Sequence, residues 1–204
     1  MCLDFNLWKD ALVKPAETFK KEEKKADFGK GIKHIGIAGI ITGIILGIAT
    51  IAGLTLTGSM FGLGSLGAGA GIGAFLLLLV ITPIYFVIAW LIGSGIIYIF
   101  AMIFGGKGDY KTQSYLIAIY AAPLSIILMI LMLVPVAGPI INFLIVLYSL
   151  YILTLALKQT HKVTTGKAVL IWIIPVAIVA IAMGAWTWTA YSTLRGLSAY
   201  PGYP

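Results

Sequence analysis

Histidine is the side chain that most readily binds metal or moves a proton near neutral pH, and this chain has two, His34 and His161. Neither has a cysteine nearby or an acid beside it to complete the four or so ligands of a structural metal site. Both stand at the edge of a long apolar segment, so they read as hydrogen-bonding groups rather than ligands. Cys2 is the sole cysteine, so no internal disulfide can form. It lacks a surrounding lipidation motif and reads as an ordinary terminal residue. No serine inside the apolar stretches has a paired base, and no carboxylate lies there to relay protons. That removes most intramembrane hydrolase and proton-coupled transport mechanisms. A catalytic role would require Lys107, Asp109, His161 and Lys162 to converge from two short basic loops. Neither a metal nor a cofactor is expected.

Two glycine patterns invite a nucleotide reading and fail it. Gly62-Leu-Gly64-Ser-Leu-Gly67 has the spacing of a dinucleotide-binding loop, but it follows an apolar helix instead of a strand, and no acid occurs until Asp109. Gly105-Gly106-Lys107-Gly108 lacks the spacing and the Ser or Thr of a phosphate loop, and reads as a turn. Gly39, Gly43 and Gly47 recur every four residues, leaving one helical stripe without bulk. Such a stripe lets helices approach closely, within the molecule or across a homodimer seam. Among the polar residues of the apolar stretches, Asn142 is the one primary amide well inside, and it could line a small polar pocket. Thr82, Tyr85, Ser94, Tyr98, Ser125, Tyr148, Ser149 and Thr154 are expected to bond to backbone or to neighbouring helices.

The elements that carry these residues follow from composition. The 204-residue chain is 60% apolar before its 24 glycines are counted, and only 10% charged, where about 25% is usual for a soluble domain. Charge is absent from residues 34–106, 112–157 and 168–194. A Lys or Asp at the centre of a membrane helix costs about 2.5 to 3.5 kcal/mol, so these blocks read as embedded in a bilayer. A span needs about 20 helical residues. Val134-Pro135-Val136-Ala137-Gly138-Pro139 divides the second block, and the glycine-rich residues 58–73 divide the first. The result is an all-α polytopic membrane bundle with five transmembrane helices, at about 34–57, 75–104, 112–134, 139–157 and 168–190. Residues 1–33 form a charged N-terminal segment and 191–204 a tail. The second span is long enough to require tilt, a bend at Pro83, or loosening near Gly93 and Gly95.

Lys and Arg in alternate loops set orientation. Thirteen lie in the N-terminal segment and the 105–111 and 158–167 loops, against Arg195 alone on the other side. The N-terminus is therefore expected in the cytoplasm and the C-terminus outside. The first apolar run follows 33 largely polar residues, so no cleavable signal peptide is expected.

The N-terminal segment predicts a short amphipathic helix, broken near Pro15, with Phe5, Trp8, Leu12 and Phe19 near one face. It suits either the headgroup layer, with lysines toward anionic lipid, or a site on the loops between spans. Trp8, Leu12, Phe19, Lys20 and Lys24 are the candidate membrane-surface or partner contacts. The alternating run Lys20–Lys25 reads as a solvated helical turn, not a nucleic-acid patch.

From Tyr115 onward a second set of features accumulates: Tyr120-Ala121-Ala122-Pro123, then Val134-Pro135 with Gly138, then Ser149, then a basic loop with His161 and Lys167-Ala168. With Pro15, Phe19 and the five apolar spans, this resembles the Yip-one domain family, the Ypt/Rab-interacting membrane proteins and their prokaryotic relatives. Tyr120, Pro123, Pro135, Gly138 and His161 carry the likeness. The resemblance implies a five-span helical protein with a cytoplasmic N-terminus. Eukaryotic relatives act in transport between the endoplasmic reticulum and Golgi, binding lipidated small GTPases and each other. This chain lacks a long N-terminal domain and an Asp-Leu-Tyr-Gly-Pro motif, so it is more similar to a prokaryotic member, and a GTPase partner is not carried over.

The expected function is a non-enzymatic membrane scaffold that organises the bilayer and recruits partners through its N-terminal helix and basic loops. Its expected partners are membrane lipids, a second copy of the chain, or a cytoplasmic protein, and no nucleic acid. The alternative is a passive pore or carrier for a small neutral or lipidic solute.

Overall fold

Asp27 interrupts the chain between a polar N-terminal stretch and a long apolar one, and its carboxylate decides where the first long helix begins. Its Oδ1 accepts a hydrogen bond from the Lys30 backbone N–H at 2.9 Å, satisfying one of the unpaired donors of a helix start. In this computed structural model, which describes residues 5–198, the long helix therefore starts at Phe28 rather than near residue 34. Cys2 and the end of the tail lie outside the described residues.

Seven α-helices follow in order: α1 (Phe5–Val13), α2 (Pro15–Glu22), α3 (Phe28–Met60), α4 (Gly64–Ile103), α5 (Tyr110–Met132), α6 (Ala137–His161) and α7 (Thr165–Ser198). A short 3-10 turn, Glu23–Lys25, joins α2 to α3. There is no strand among the described residues. Pro15 opens α2 at its first position, where a missing N–H costs no helical bond. Helices α3 to α7 are the five long enough and apolar enough to cross a membrane. The chain is thus a multi-pass helical membrane protein. Its outward residues agree, since Ile181 and Trp186 of α7 are 73% and 74% exposed, a surface suited to lipid.

The glycine-rich residues 58–73 do not form the expected loop. α3 runs to Met60 and α4 begins at Gly64, leaving only Phe61-Gly62-Leu63 as the turn, with Gly62 at φ +72°. The glycines are helical because they sit where the two backbones meet. A Cβ on Gly71 would lie 2.8 Å from the Ile51 Cα, and one on Gly67 would strike the Leu54 carbonyl. The same logic governs the stripe on α3. A Cβ on Gly39 would lie 2.5 Å from the Pro83 Cα and one on Gly43 3.0 Å from the Leu78 carbonyl, while Gly47 lies against the Phe75 ring. Gly39, Gly43 and Gly47 thus face α4 inside the molecule, and the stripe is buried along that contact. Pro83 remains within a continuous helix, its neighbours able to supply the packing that a broken backbone bond forfeits.

The turn after α5 falls at Leu133–Val136. Val136 takes φ +64° and ψ −59°, and the Ala137 N–H donates to the Pro135 carbonyl at 2.7 Å. A β-branched residue in that region is strained. Pro135 is exposed in the turn, whereas Gly138 is buried against the Leu131 carbonyl.

The core sits at one end of the bundle. Residues 112–120 of α5 are buried on every face, because α1, α3, α4 and α6 all pack around them. That end also carries α1, α2, the 104–109 loop and the 162–164 loop, and so gathers the lysines.

Candidate functional site

The lysine-bearing end is built by two groups of polar side chains. The first fastens the N-terminal helices to the bundle. Trp8 Nε1 donates to His34 Nδ1 at 2.9 Å, and the His34 ring lies beside that of Tyr115, 6.3 Å between centroids. The Tyr115 hydroxyl donates to Glu22 Oε2 at 2.8 Å, and Lys25 Nζ donates to Glu22 Oε1 at 2.7 Å. Phe19 is fully buried, its ring 6.2 Å from that of Tyr120. Further along, the Tyr148 hydroxyl donates to the Leu12 carbonyl at 2.6 Å.

Glu23 closes this clasp. Its carboxylate accepts from Lys162 Nζ at 2.9 and 3.1 Å and from Gln159 Nε2. Burial pushes the Glu23 carboxyl up, but the hydrogen bonds from Lys162 and Gln159 outweigh it and hold the group below its ordinary value. Lys162 is itself left-handed at the end of α6, φ +54°.

Trp8 and Phe19 therefore occupy places different from those expected of them. Instead of meeting lipid or a partner, both are inside the protein, because α3 and α5 offer an acceptor for the indole and aromatic surface for Phe19. Leu12 is half-buried. Lys20 and Lys24 remain exposed.

The second group lies behind the first. The Gly108 N–H donates to His161 Nδ1 at 3.3 Å, which leaves Nε2 as the protonated nitrogen of a neutral ring. Nε2 donates to Gln113 Oε1 at 2.7 Å, and Gln113 Nε2 donates to the Ser94 carbonyl at 2.7 Å. A buried chain thus links α6, α5 and α4. Gly106 must lack a side chain, since a Cβ would stand 2.7 Å from His161 Nδ1. Asp109 caps α5, accepting from the Thr112 N–H and hydroxyl, each at 2.8 Å. Burial raises the Asp109 carboxyl, and these bonds more than compensate, holding it below the usual value.

The four residues of the catalytic reading share this end, and three of the side chains have other partners there. Asp109 is committed to Thr112, His161 to Gln113 and Lys162 to Glu23. Lys107 approaches through its backbone N–H, which donates to the His161 carbonyl at 3.3 Å. Among the described residues no group of three His, Cys, Asp or Glu could hold a metal.

Asn142 stands elsewhere, on α6. Its Nδ2 donates to the Leu128 carbonyl at 3.2 Å, and its buried Oδ1 has no hydrogen-bond partner among the described residues. Tyr120 and Pro123 lie on the enclosed part of α5. A family model described as the Yip1 domain matches residues 9–187, from α1 to α7. The chain belongs to the Yip1 domain family. The matched stretch takes in the clasp apart from Trp8, the His161 chain, α3 to α6 and the larger part of α7. No curated protein and no solved structure matches the chain.

Sequence reasoning passed over Glu22, Glu23, Gln113 and Tyr115, which hold this end of the Yip1 domain together. A usable signal existed for the acids. Glu22 and Glu23 are adjacent carboxylates within the run Lys20–Lys25, and the structure corrects the solvated turn expected there: Glu22 is buried against the Tyr115 hydroxyl and Glu23 accepts from Lys162.

Proposed function

We propose that this Yip1-domain protein is a non-enzymatic membrane organiser whose lysine-bearing end faces the cytoplasm and meets anionic lipid headgroups or an acidic partner there. The observation that carries the reading is the division of labour in α1 and α2. Trp8 and Phe19 point into the bundle, while Lys20 and Lys24 stay exposed. What the docked segment offers to its surroundings is positive charge on a rigid mount. The thirteen-to-one distribution of Lys and Arg supports a cytoplasmic placement of that end. The engagement of Asp109, His161 and Lys162 in structural bonds supports a role without catalysis.

The test is binding of phosphatidylserine vesicles by the full chain held in neutral nanodiscs. Each lysine near an anionic surface contributes about 1 kcal/mol, so Lys20→Gln with Lys24→Gln should weaken binding on the order of 30-fold at low salt. The difference should shrink as salt rises. Unchanged vesicle binding, with solute flux through the reconstituted protein, would instead favour a pore or carrier.

A further inference from the structure

A cavity of about 330 Å³ lies between α4 and α5, with Ile35 of α3 and Leu153 of α6 completing its lining. Along α4 the lining extends from Tyr85 to Ile97, about 18 Å at about 1.5 Å per residue. A space this long and this small is narrow, with room for one extended chain rather than a compact molecule. Its surface is nearly all carbon. The exception of interest is Ser94, 3% exposed, whose hydroxyl is buried with no hydrogen-bond partner among the described residues.

The cavity reaches the outer surface of α4 through its smallest residues. Ala89 and Gly93 both line it, Ala89 exposed and Gly93 half-buried. A Cβ added to Gly93 would meet nothing within 4 Å. Beside them, Ile88 and Ile92 are exposed apolar residues on one of the helices apolar enough to cross a membrane. The opening is therefore continuous with the lipid-facing surface of α4, where the surrounding medium is hydrocarbon.

We propose that this cavity is a binding site for one acyl chain of a bilayer phospholipid. The chain enters past Gly93 and Ala89 and lies against Tyr120 and Ala121 of α5. The Ser94 hydroxyl donates to the ester carbonyl of the lipid. Its position suits that role, since α4 runs toward the lysine-bearing end and Ser94 is nearer that end than Ala89, as an ester is nearer the headgroup than its chain. Asn142 has no part in the site. The proposal does not depend on the organising role inferred above.

The test uses the full chain in phosphatidylcholine vesicles doped with a phospholipid bearing a diazirine on its acyl chain. After irradiation, labelled residues are located by mass spectrometry. The expected result is label on Ile117 or Ala121 of α5 as well as on exposed Ile88 and Ile92. Gly93→Leu fills the entrance and should reduce the α5 label about ten-fold, leaving the Ile88 and Ile92 label unchanged. Gly95→Leu is the control, because Gly95 also has nothing within 4 Å of an added Cβ but does not line the cavity. It should label as the parent does. Should Gly93→Leu fail to fold, Ala89→Phe closes the same entrance. No α5 label in the parent chain, or equal label in the closed variants, overturns the proposal. So does α5 label obtained with a diazirine fatty acid but not with the phospholipid.

Discussion

Glu23 carries more weight than a carboxylate in a lysine run ordinarily would. It joins the N-terminal helices to the end of α6, and its carboxyl is held below the ordinary value of 4.5 by Lys162 and Gln159. A depressed folded-state value means that the contact contributes fully above the unfolded value and is lost as pH falls through the folded one. The clasp should therefore loosen as pH falls below about 4.5, read as faster hydrogen–deuterium exchange over residues 5–22 in detergent-solubilised protein, corrected for the intrinsic pH dependence of exchange. Glu23→Gln should remove that acid step and leave the segment more accessible at neutral pH. Equal corrected exchange of the parent chain at neutral and acid pH would contradict the assignment. How such residues could have been read beforehand differs from case to case. His161 lacks neighbours that could complete a metal site, so a hydrogen-bonding role is legible, and its imidazole bonds to Gln113. The partner is not legible, because it lies 48 residues away and nothing local marks it. For Trp8 and Phe19 the sequence leaves the headgroup layer and a site on the protein both open, for a related reason. An aromatic face on a polar helix tells of burial, but it does not say whether lipid or protein does the burying.

Glycine is the element-scale lesson. In water-soluble chains a run such as residues 64–73 breaks helices, and the same residues here are helical because a close neighbour repays their missing side chains. Gly67 and Gly71 on α4 meet α3, as Gly39 and Gly43 on α3 meet α4. The number of apolar helices and the Pro135 turn were legible, since both follow from local runs and breakers. The helix ends near Phe28 and Gly64 were not, because one depends on a side-chain cap and the other on packing across the hairpin. The contact makes a sharp comparison available. Gly39→Leu forces a side chain against the Pro83 backbone and should destabilise by about 1 to 3 kcal/mol or more. Gly36→Leu, with nothing within 4 Å of its added Cβ, should stay within about 0.5 kcal/mol. Thermal unfolding of both variants in one detergent measures the difference. Equal melting temperatures would mean that the α3–α4 contact is not close in solution.

For the whole molecule, five crossings by α3 to α7 would put the N-terminal helices and the far end of α7 on opposite faces of the membrane. Acceptor sites for N-glycosylation test this directly. One inserted at Phe61–Leu63 or after Ser198 should be modified in microsomes, and one before Phe5 should not. Modification at both ends would refute the odd number of crossings. Sequence order also imposes an asymmetry in time. The clasp joins Glu23 to Lys162 across 139 residues, so the N-terminal helices cannot be fully fastened until the end of α6 has been made. Translation at about 5 to 20 residues per second puts roughly 7 to 28 seconds between those two residues. For most of that interval, until Tyr120 of α5 has been made, Phe19 rides uncovered on a nascent chain at the ribosome, and its shelter has to come from the adjoining lipid surface or from a holding chaperone.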